Sequence, residues 1–370
     1  MQTPQHKAKS PKVSIIIPTL NRIAYIKECV DSALAQSLRD IEIICVDANS
    51  TDGTLEILQD YAKQDSCVRV IISECKSYGY QVNLGISQAQ GEYIGIVESD
   101  DYAKPQMYEK LYKVAKAQDC DITKSDILCF HTANGESRFA HTPIVKHKRF
   151  YGKRLDFDSH SAQSPNATKS TKAKTAFLKS AWKMNQSSIF KREFLARYNI
   201  AFNETAGASY QDTGFSFIAT ICANSMYVLN EAYYCYRTDN EASSSNSKDK
   251  VWCLRDEYEF IEQFLRKNGL WSAYQGLFFY LKFCGYKWNV ERIAPQYRLE
   301  FLRHFQSEFS TLSKEEIKSC GFKWHQSRKL AKILDSPQSY YDELNAPKPK
   351  GLKQKIKHYF KHYIKKEGKK

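Results

Sequence analysis

Three carboxylates crowd the end of one apolar run. Residues 93–101 read YIGIVESDD, which places Glu98, Asp100 and Asp101 within four positions. Like charges this close must be solvated, paired or bound to a cation. Two other apolar runs also end in polar groups. VSIII (13–17) passes into PTLN, with Pro18, Thr19 and Asn21, and IEIICV (41–46) is closed by Asp47. A divalent metal held by carboxylates at a strand end would neutralise the charge of a bound diphosphate.

For these groups to act together, the fold must bring the ends of the runs to one edge. The pattern predicts that it does. VSIII, IEIICV, VRVII (68–72) and YIGIV (93–97) read as buried strands. Between them, Ile23, Ile26, Val30 and Leu34, then Leu55, Leu58 and Tyr61, fall at helical spacing, and Gln81–Ala89 reads as a third helix. Strand–helix alternation with short connections means a parallel sheet covered by helices on both faces. Right-handed crossovers then line up the strand C-terminal ends, where open α/β sheets bind ligands. No G-x-G-x-x-G follows the first strand, and G-x-x-x-x-G-K-[ST] is absent throughout. A dinucleotide dehydrogenase and a P-loop NTPase are therefore disfavoured.

In order and spacing, KVSIIIPTLNR, IEIICVDANSTDGT and NLGISQAQGEYIGIVESDD resemble the successive motifs of family 2 glycosyltransferases with the GT-A fold. The resemblance covers residues 12–105 closely and continues more loosely to about 247. It implies an α/β fold, a GT-A-type mostly parallel sheet flanked by helices, followed here by a helical C-terminal region. Asp47 would contact the nucleobase. Pro18, Thr19, Asn21, Asn83 and Asp100 would bind the nucleotide sugar. Glu98, Asp100 and Asp101 would hold Mn2+ or Mg2+ on its diphosphate, with Asp100 ranked above the longer Glu98.

Downstream, IFKREFLARYNIAFNETAGASYQDTGFSF (189–217) resembles the family's stretch carrying the catalytic acid, which makes Asp212 the general base. In YYCYRTDNEASSSNS (233–247), Arg237 would pair with diphosphate or acceptor charge, with Ser243 to Ser245 in a loop closing over the donor. Departures from the pattern are Ala48 and Asn49 after Asp47, Gln81 or Val82 where arginine is usual, Glu98 for aspartate, and Gln211 before Asp212. The activity implied is inverting transfer from a nucleotide-diphosphate sugar to a hydroxyl of a glycan or lipid-linked acceptor, in bacterial surface polysaccharide synthesis. The alternative is a catalytically degenerate module that binds sugar nucleotide or membrane. A sugar nucleotidyltransferase would want a glycine-rich basic loop after the first strand, and PTLNR is not one.

Several of these residues also have plainer readings. Asp52 suits an Asx-type turn, Asp101 a cap for a helix near Pro105, Asp212 the N-cap of its helix, and Asn21 a loop former. Asn166-Ala-Thr168 matches a glycosylation acceptor by chance in a chain with no secretion signal.

The remaining sequence suggests four segments: a flexible start (1–11), the catalytic domain (12–247), a helical C-terminal subdomain (248–345) and a basic amphipathic tail (346–370). Within the catalytic domain, 131–180 shows weak periodicity and reads as acceptor-side loops. The net charge is +14, and the tail, with ten lysines against Glu367 alone, supplies +9 of it. Leu352, Ile356, Tyr359, Phe360, Tyr363 and Ile364 fall at helical spacing among those lysines, which suits an anionic membrane surface. No nucleic-acid-binding motif accompanies the charge. No run approaches the ~20 apolar residues of a membrane span, and the start lacks the apolar core of a signal peptide. Eleven cysteines, scattered with no C-x-x-C pair, read as reduced thiols. A solvated, partly disordered tail is the equal alternative. A cytoplasmic chain is expected, peripheral on the inner face of the membrane if the tail binds it.

Overall fold

The computed structural model describes residues 10–133, 135–157, 167–208, 210–240 and 247–346. Residues 1–9 of the expected flexible start, Asn166, Ser243 to Ser245 and all of the basic tail beyond Ala346 lie outside the described residues.

The first four strands are those the sequence predicts: β1 (Val13–Thr19), β2 (Ile41–Asp47), β3 (Val68–Ile72) and β4 (Tyr93–Ile96). They pair in parallel in the order β3-β2-β1-β4, with Val13 opposite both Ile41 and Tyr93. The crossovers are α1 (Ile26–Leu34), α2 (Thr54–Gln64) and α3 (Tyr78–Gln88). β1 is central, and Val13, Ile15, Ile16 and Ile17 are fully buried. Each such side chain contributes roughly 1.5–3 kcal/mol on leaving water. Gly95 of β4 lies under the Tyr108 ring, which a Cβ there would meet at 2.3 Å. α1 starts three residues later than its periodicity predicts. The Ile23 N–H is held by the Asp52 carboxylate, so Ile23 stays in the loop and half exposed.

After β5 (Tyr102–Ala103) and α4 (Met107–Gln118), the chain returns to the sheet as β6 (Ile122–Ala133), β7 (Glu136–Thr142) and β8 (Arg154–Asp156). α5 (Ala167–Ser180), β9 (Ser188–Lys191), α6 (Arg192–Arg197), α7 (Gln211–Cys222) and β10 (Ser225–Arg237) follow. Among the described residues the sheet has ten strands, ordered β3-β2-β1-β4-β9-β6-β10-β5, with β7 on β6 and β8 on β10. β9 is inserted antiparallel between β4 and β6, whereas β6 and β10 run parallel. The expectation of loops over 131–180 is corrected here. The segment carries the end of β6, β7, β8 and α5; β7 is exposed along almost its whole length and β8 is only three residues long, which leaves little local periodicity.

Six helices complete the described chain: α8 (Cys253–Lys267), α9 (Trp271–Arg292), α10 (Pro295–Phe309), α11 (Lys314–Ser319), α12 (Trp324–Asp335) and α13 (Pro337–Asn345). Their core is aromatic, with Tyr286 of α9 against Tyr258, Phe301 and Phe305. Lys282 is buried in α9 and paired with Glu308 at 2.9 Å. These helices join the sheet side through Glu257 of α8, whose carboxylate accepts from the Gly214 N–H of α7 at 3.1 Å. Among the described residues no helix is long and apolar enough to cross a membrane. All eleven cysteines are free thiols.

Candidate active site

The ends of β1 and β4, the start of α7 and the end of β10 surround one cavity of about 750 Å3. That volume is within the range that holds a nucleotide-sized ligand. Pro18, Thr19, Asn21, Glu98, Asp100, Asp101, Asp212 and Arg237 all line it; Asp47 and Asn83 do not.

The three carboxylates of ESDD are dealt with separately. The Asp101 N–H donates to the Glu98 carbonyl at 3.0 Å and folds the segment into a tight turn. β10 braces the turn: the Tyr234 hydroxyl receives the Glu98 N–H at 3.1 Å and donates to Asp101 Oδ2 at 2.7 Å. Asp101 Oδ1 accepts from the Arg237 N–H at 2.7 Å. Asp101 is thus buried with each oxygen hydrogen-bonded, and burial pushes its carboxyl well up. It does not cap α4, whose first turn has no side-chain cap. Glu98 Oε1 accepts from the Tyr78 hydroxyl at 2.7 Å and from Gln186 Nε2 at 2.6 Å. Desolvation outweighs those two donors and pushes Glu98 up to about 7. Asp100 is partly exposed, and its Oδ2 accepts from Asn240 Nδ2 at 2.6 Å.

No trio of His, Cys, Asp or Glu is gathered into a metal cage among the described residues. The donor set still fits Mg2+ or Mn2+, which are held by one or two carboxylates together with substrate phosphates and water. Asp100 supplies the accessible carboxylate for that arrangement.

Asp212 is the second residue of α7, not its N-cap, which is Tyr210 in a left-handed conformation (φ 67°). Its carboxylate takes backbone hydrogen bonds at the helix start, from Thr213 and from its own N–H. Burial pushes it up to about 7, against the pull of Lys183 and the helix-start N–H groups. Lys124, buried at the β6–β9 joint, donates to the Met184 carbonyl and to Ser188 Oγ, both at 2.7 Å, and adds a weaker pull.

Arg237 reaches the cavity wall but is held from behind. Its Nε donates to the Asp100 carbonyl at 2.8 Å, its guanidinium pairs with Glu28, and it lies over the rings of Tyr25 and Phe130. It clamps the ESDD turn to β10, which differs from the diphosphate or acceptor pairing the sequence suggests. Asp47 is fully buried, and its two oxygens accept from the Ser50 N–H at 2.7 Å and the Ser50 hydroxyl at 2.6 Å. Each oxygen keeps a second lone pair, but the carboxylate does not line the cavity, so contact with a base would require exposing it. Asn83 donates to the Phe202 carbonyl and accepts from the Phe202 N–H, both at 2.9 Å, and so braces α3 against the segment before α7. Asn21 shapes the loop after β1, as its plainer reading expects. It lines the cavity, and in a left-handed conformation (φ 52°) its Oδ1 receives the Thr51 N–H. Asp52 forms the expected turn, accepting from the Thr54 N–H at 3.0 Å.

Gln81, one of the two positions singled out where arginine is usual, also lines the cavity; it donates to the carbonyls of Thr19 and Val46 and ties the ends of β1 and β2 together. Other lining residues carry no sequence signal. The cations Arg22, Lys76, Lys183 and Lys250 also line the cavity. They are scattered in sequence, and only the closed fold collects them.

Residues 14–177 match the family model described as Glycosyl transferase family 2. The chain is similar to the uncharacterized glycosyltransferase EpsJ of Bacillus subtilis, 33% identical over 61% of this chain and 61% of EpsJ. It is also similar to the glycosyltransferase GlyG of Streptococcus pneumoniae, 30% identical over 70% of this chain and 80% of GlyG. Among solved structures, residues 1–349 of S. aureus TarS in complex with UDP-GlcNAc superpose with a TM-score of 0.51 at 18% identity, covering 90% of this chain and 92% of that one. That likeness concerns the fold. The chain belongs to glycosyltransferase family 2 and has its GT-A fold.

Proposed function

We propose that this glycosyltransferase moves a sugar, with inversion, from a nucleotide-diphosphate sugar to an acceptor hydroxyl on a glycan or lipid-linked acceptor of the bacterial surface. One observation carries the reading. A single cavity holds an accessible carboxylate at a strand end, Asp100, and a carboxylate near neutrality at a helix start, Asp212. In this reading the donor lies along the β1 and β4 ends, against Pro18, Thr19 and Asn21, with Arg22, Lys76 and Lys250 for phosphate charge. Asp100, with Glu98 beside it, would hold Mn2+ or Mg2+, which when bound neutralises the diphosphate and its developing charge.

The acceptor hydroxyl attacks the anomeric carbon as the bond to the diphosphate oxygen breaks, and its proton passes to the Asp212 carboxylate. A base with a value near 7 is matched to this task at neutral pH. Hydrogen bonds from Tyr78 and Gln186 to Glu98, and from Tyr234 and Arg237 to Asp101, orient the ESDD turn for its task. Asp47 contacts the base only once its buried carboxylate is exposed to the cavity, and Asn83 acts by positioning α3. The tail beyond residue 346 would hold the enzyme at an anionic membrane surface.

A titration of the full chain with UDP, GDP and dTDP, with and without Mn2+, tests the reading by thermal shift. Binding to the folded state raises the melting temperature by mass action. Stabilisation by at least one nucleotide that deepens with Mn2+ is expected. No shift with any of the three would refute it.

A further inference from the structure

Three large apolar side chains of this protein stand out as exposed tryptophans, and two of them face the same cavity. Trp182 is 42% exposed and Trp288 is 43% exposed, and both line the cavity that holds Asp212. Trp182 precedes Lys183, whose charge acts on Asp212, and Trp288 packs on Tyr210, two residues before Asp212. The two indoles therefore attach to the elements around the base, one from the α5–β9 connection and one from α9.

Each indole is braced by a second ring at a steep angle. Trp182 meets Tyr236 edge-on at 5.9 Å and 67°, and Trp288 meets Tyr210 at 5.3 Å and 81°. The Arg292 guanidinium lies 5.1 Å from the Tyr210 ring and 5.4 Å from the Trp288 ring. It also donates to Asn289 and to the carbonyls of Ser247 and Lys250, which fixes it as a strut. Edge-on bracing immobilises an indole while leaving much of it open. An aromatic face held in water inside a polar cavity is unfavourable unless a ligand covers it.

We propose that Trp182 and Trp288 are acceptor platforms, and that the acceptor is a saccharide whose pyranose rings lie on them. The inference rests on the glycosyltransferase reading and names the acceptor class of that site. A pyranose has one apolar C–H face and a rim of hydroxyls. The face matches an indole, and the rim matches a cavity that also carries Glu98, Asp100, Lys183 and Asp212. A sterol or acyl chain would need a continuous apolar wall, which those charged groups interrupt. A linear polyol phosphate has no ring face to stack.

The test uses isothermal titration of the full chain with two sets of probes in Mn2+: UDP, GDP and dTDP, then maltotetraose, cellotetraose and chitotetraose. At least one tetrasaccharide binds. Trp182→Gln and Trp288→Gln, which keep bulk at half-exposed positions, each weaken it about tenfold, whereas Trp182→Phe and Trp288→Phe stay within about threefold. Nucleotide affinity stays unchanged in all four, and unchanged melting temperatures verify the folds. Nucleotide binding without any tetrasaccharide binding overturns the saccharide class while leaving the glycosyltransferase reading intact. Loss of nucleotide rather than saccharide in the Gln variants makes the indoles donor groups and overturns the proposal. Absence of nucleotide binding in the unsubstituted chain sinks the underlying reading and this one with it.

Discussion

Asp212 is pulled both ways at once: burial raises its carboxyl, while Lys183 and the first-turn N–H groups of α7 restrain the rise to about 7. Asp212→Asn should therefore keep nucleotide affinity and lower turnover by at least about a hundredfold, the usual scale for a lost general base. In the unsubstituted enzyme the rate should climb as pH rises through about 7, and a limb absent there would remove Asp212 from the base role. The same group bears on stability. Its folded value lies above the ordinary 3.8, so the folded chain holds more protons than the unfolded one between about 4 and 7. Its contribution to stability falls as pH rises across that window. Asp212→Asn should accordingly raise the melting temperature more at pH 8 than at pH 5. Asp100 and Asp101 should separate cleanly. Asp100→Ala should abolish the Mn2+ enhancement of nucleotide binding with little loss of stability. Asp101→Ala should destabilise the fold by about 1–3 kcal/mol in urea, because it strands the Tyr234 hydroxyl and the Arg237 N–H.

At the scale of elements, the joint between α7 and α8 matters most. Glu257 Oε2 accepts from the Gly214 N–H, and its Oε1 accepts from Asn203 Nδ2 at 3.0 Å. A Cβ on Gly214 would come 2.6 Å from Oε2, so a side chain there would displace the Glu257 carboxylate from this bond. Burial pushes Glu257 up to about 8, which again makes stability fall with rising pH, here between about 4.5 and 8. Glu257→Ala should cost about 1–3 kcal/mol in chemical denaturation by orphaning two donors. Because the joint holds the helix that carries Asp212, turnover should drop with nucleotide affinity unchanged; wild-type turnover in this variant would show that the joint serves stability alone. β1 to β4 are legible in the sequence because buried parallel strands read as unbroken β-branched runs. β7 and β8 are not: β7 is exposed along almost its whole length and so shows no apolar alternation, and β8 is three residues long with its partner β10 about seventy positions away. The antiparallel insertion of β9 is likewise a choice between partners, made by β4 and β6 together.

For the molecule as a whole, the charge is concentrated at one end, with +9 of the +14 in residues 346–370. Deleting residues 347–370 should release the protein from phosphatidylglycerol vesicles in a sedimentation assay, and the binding of the full chain should weaken with salt. Equal sedimentation of both forms would rule out the tail as an anchor. The sequence by itself determined the parallel half of the sheet, the helical C-terminal region and the positions of Asp100 and Asp212, because each follows from local pattern or from motif order. Only the tertiary structure decided which of those groups face one another. Asp47 ends its strand as expected, yet Ser50 takes both its oxygens. Arg237 arrives beside the carboxylates, yet Glu28 and two aromatic rings hold it. Lys183, Trp182 and Trp288 carry no motif and still line the cavity. A residue's type and neighbours in the chain set what it can do chemically, but burial and hydrogen-bond partners, which come from residues dozens of positions away, determine whether it remains free to do it.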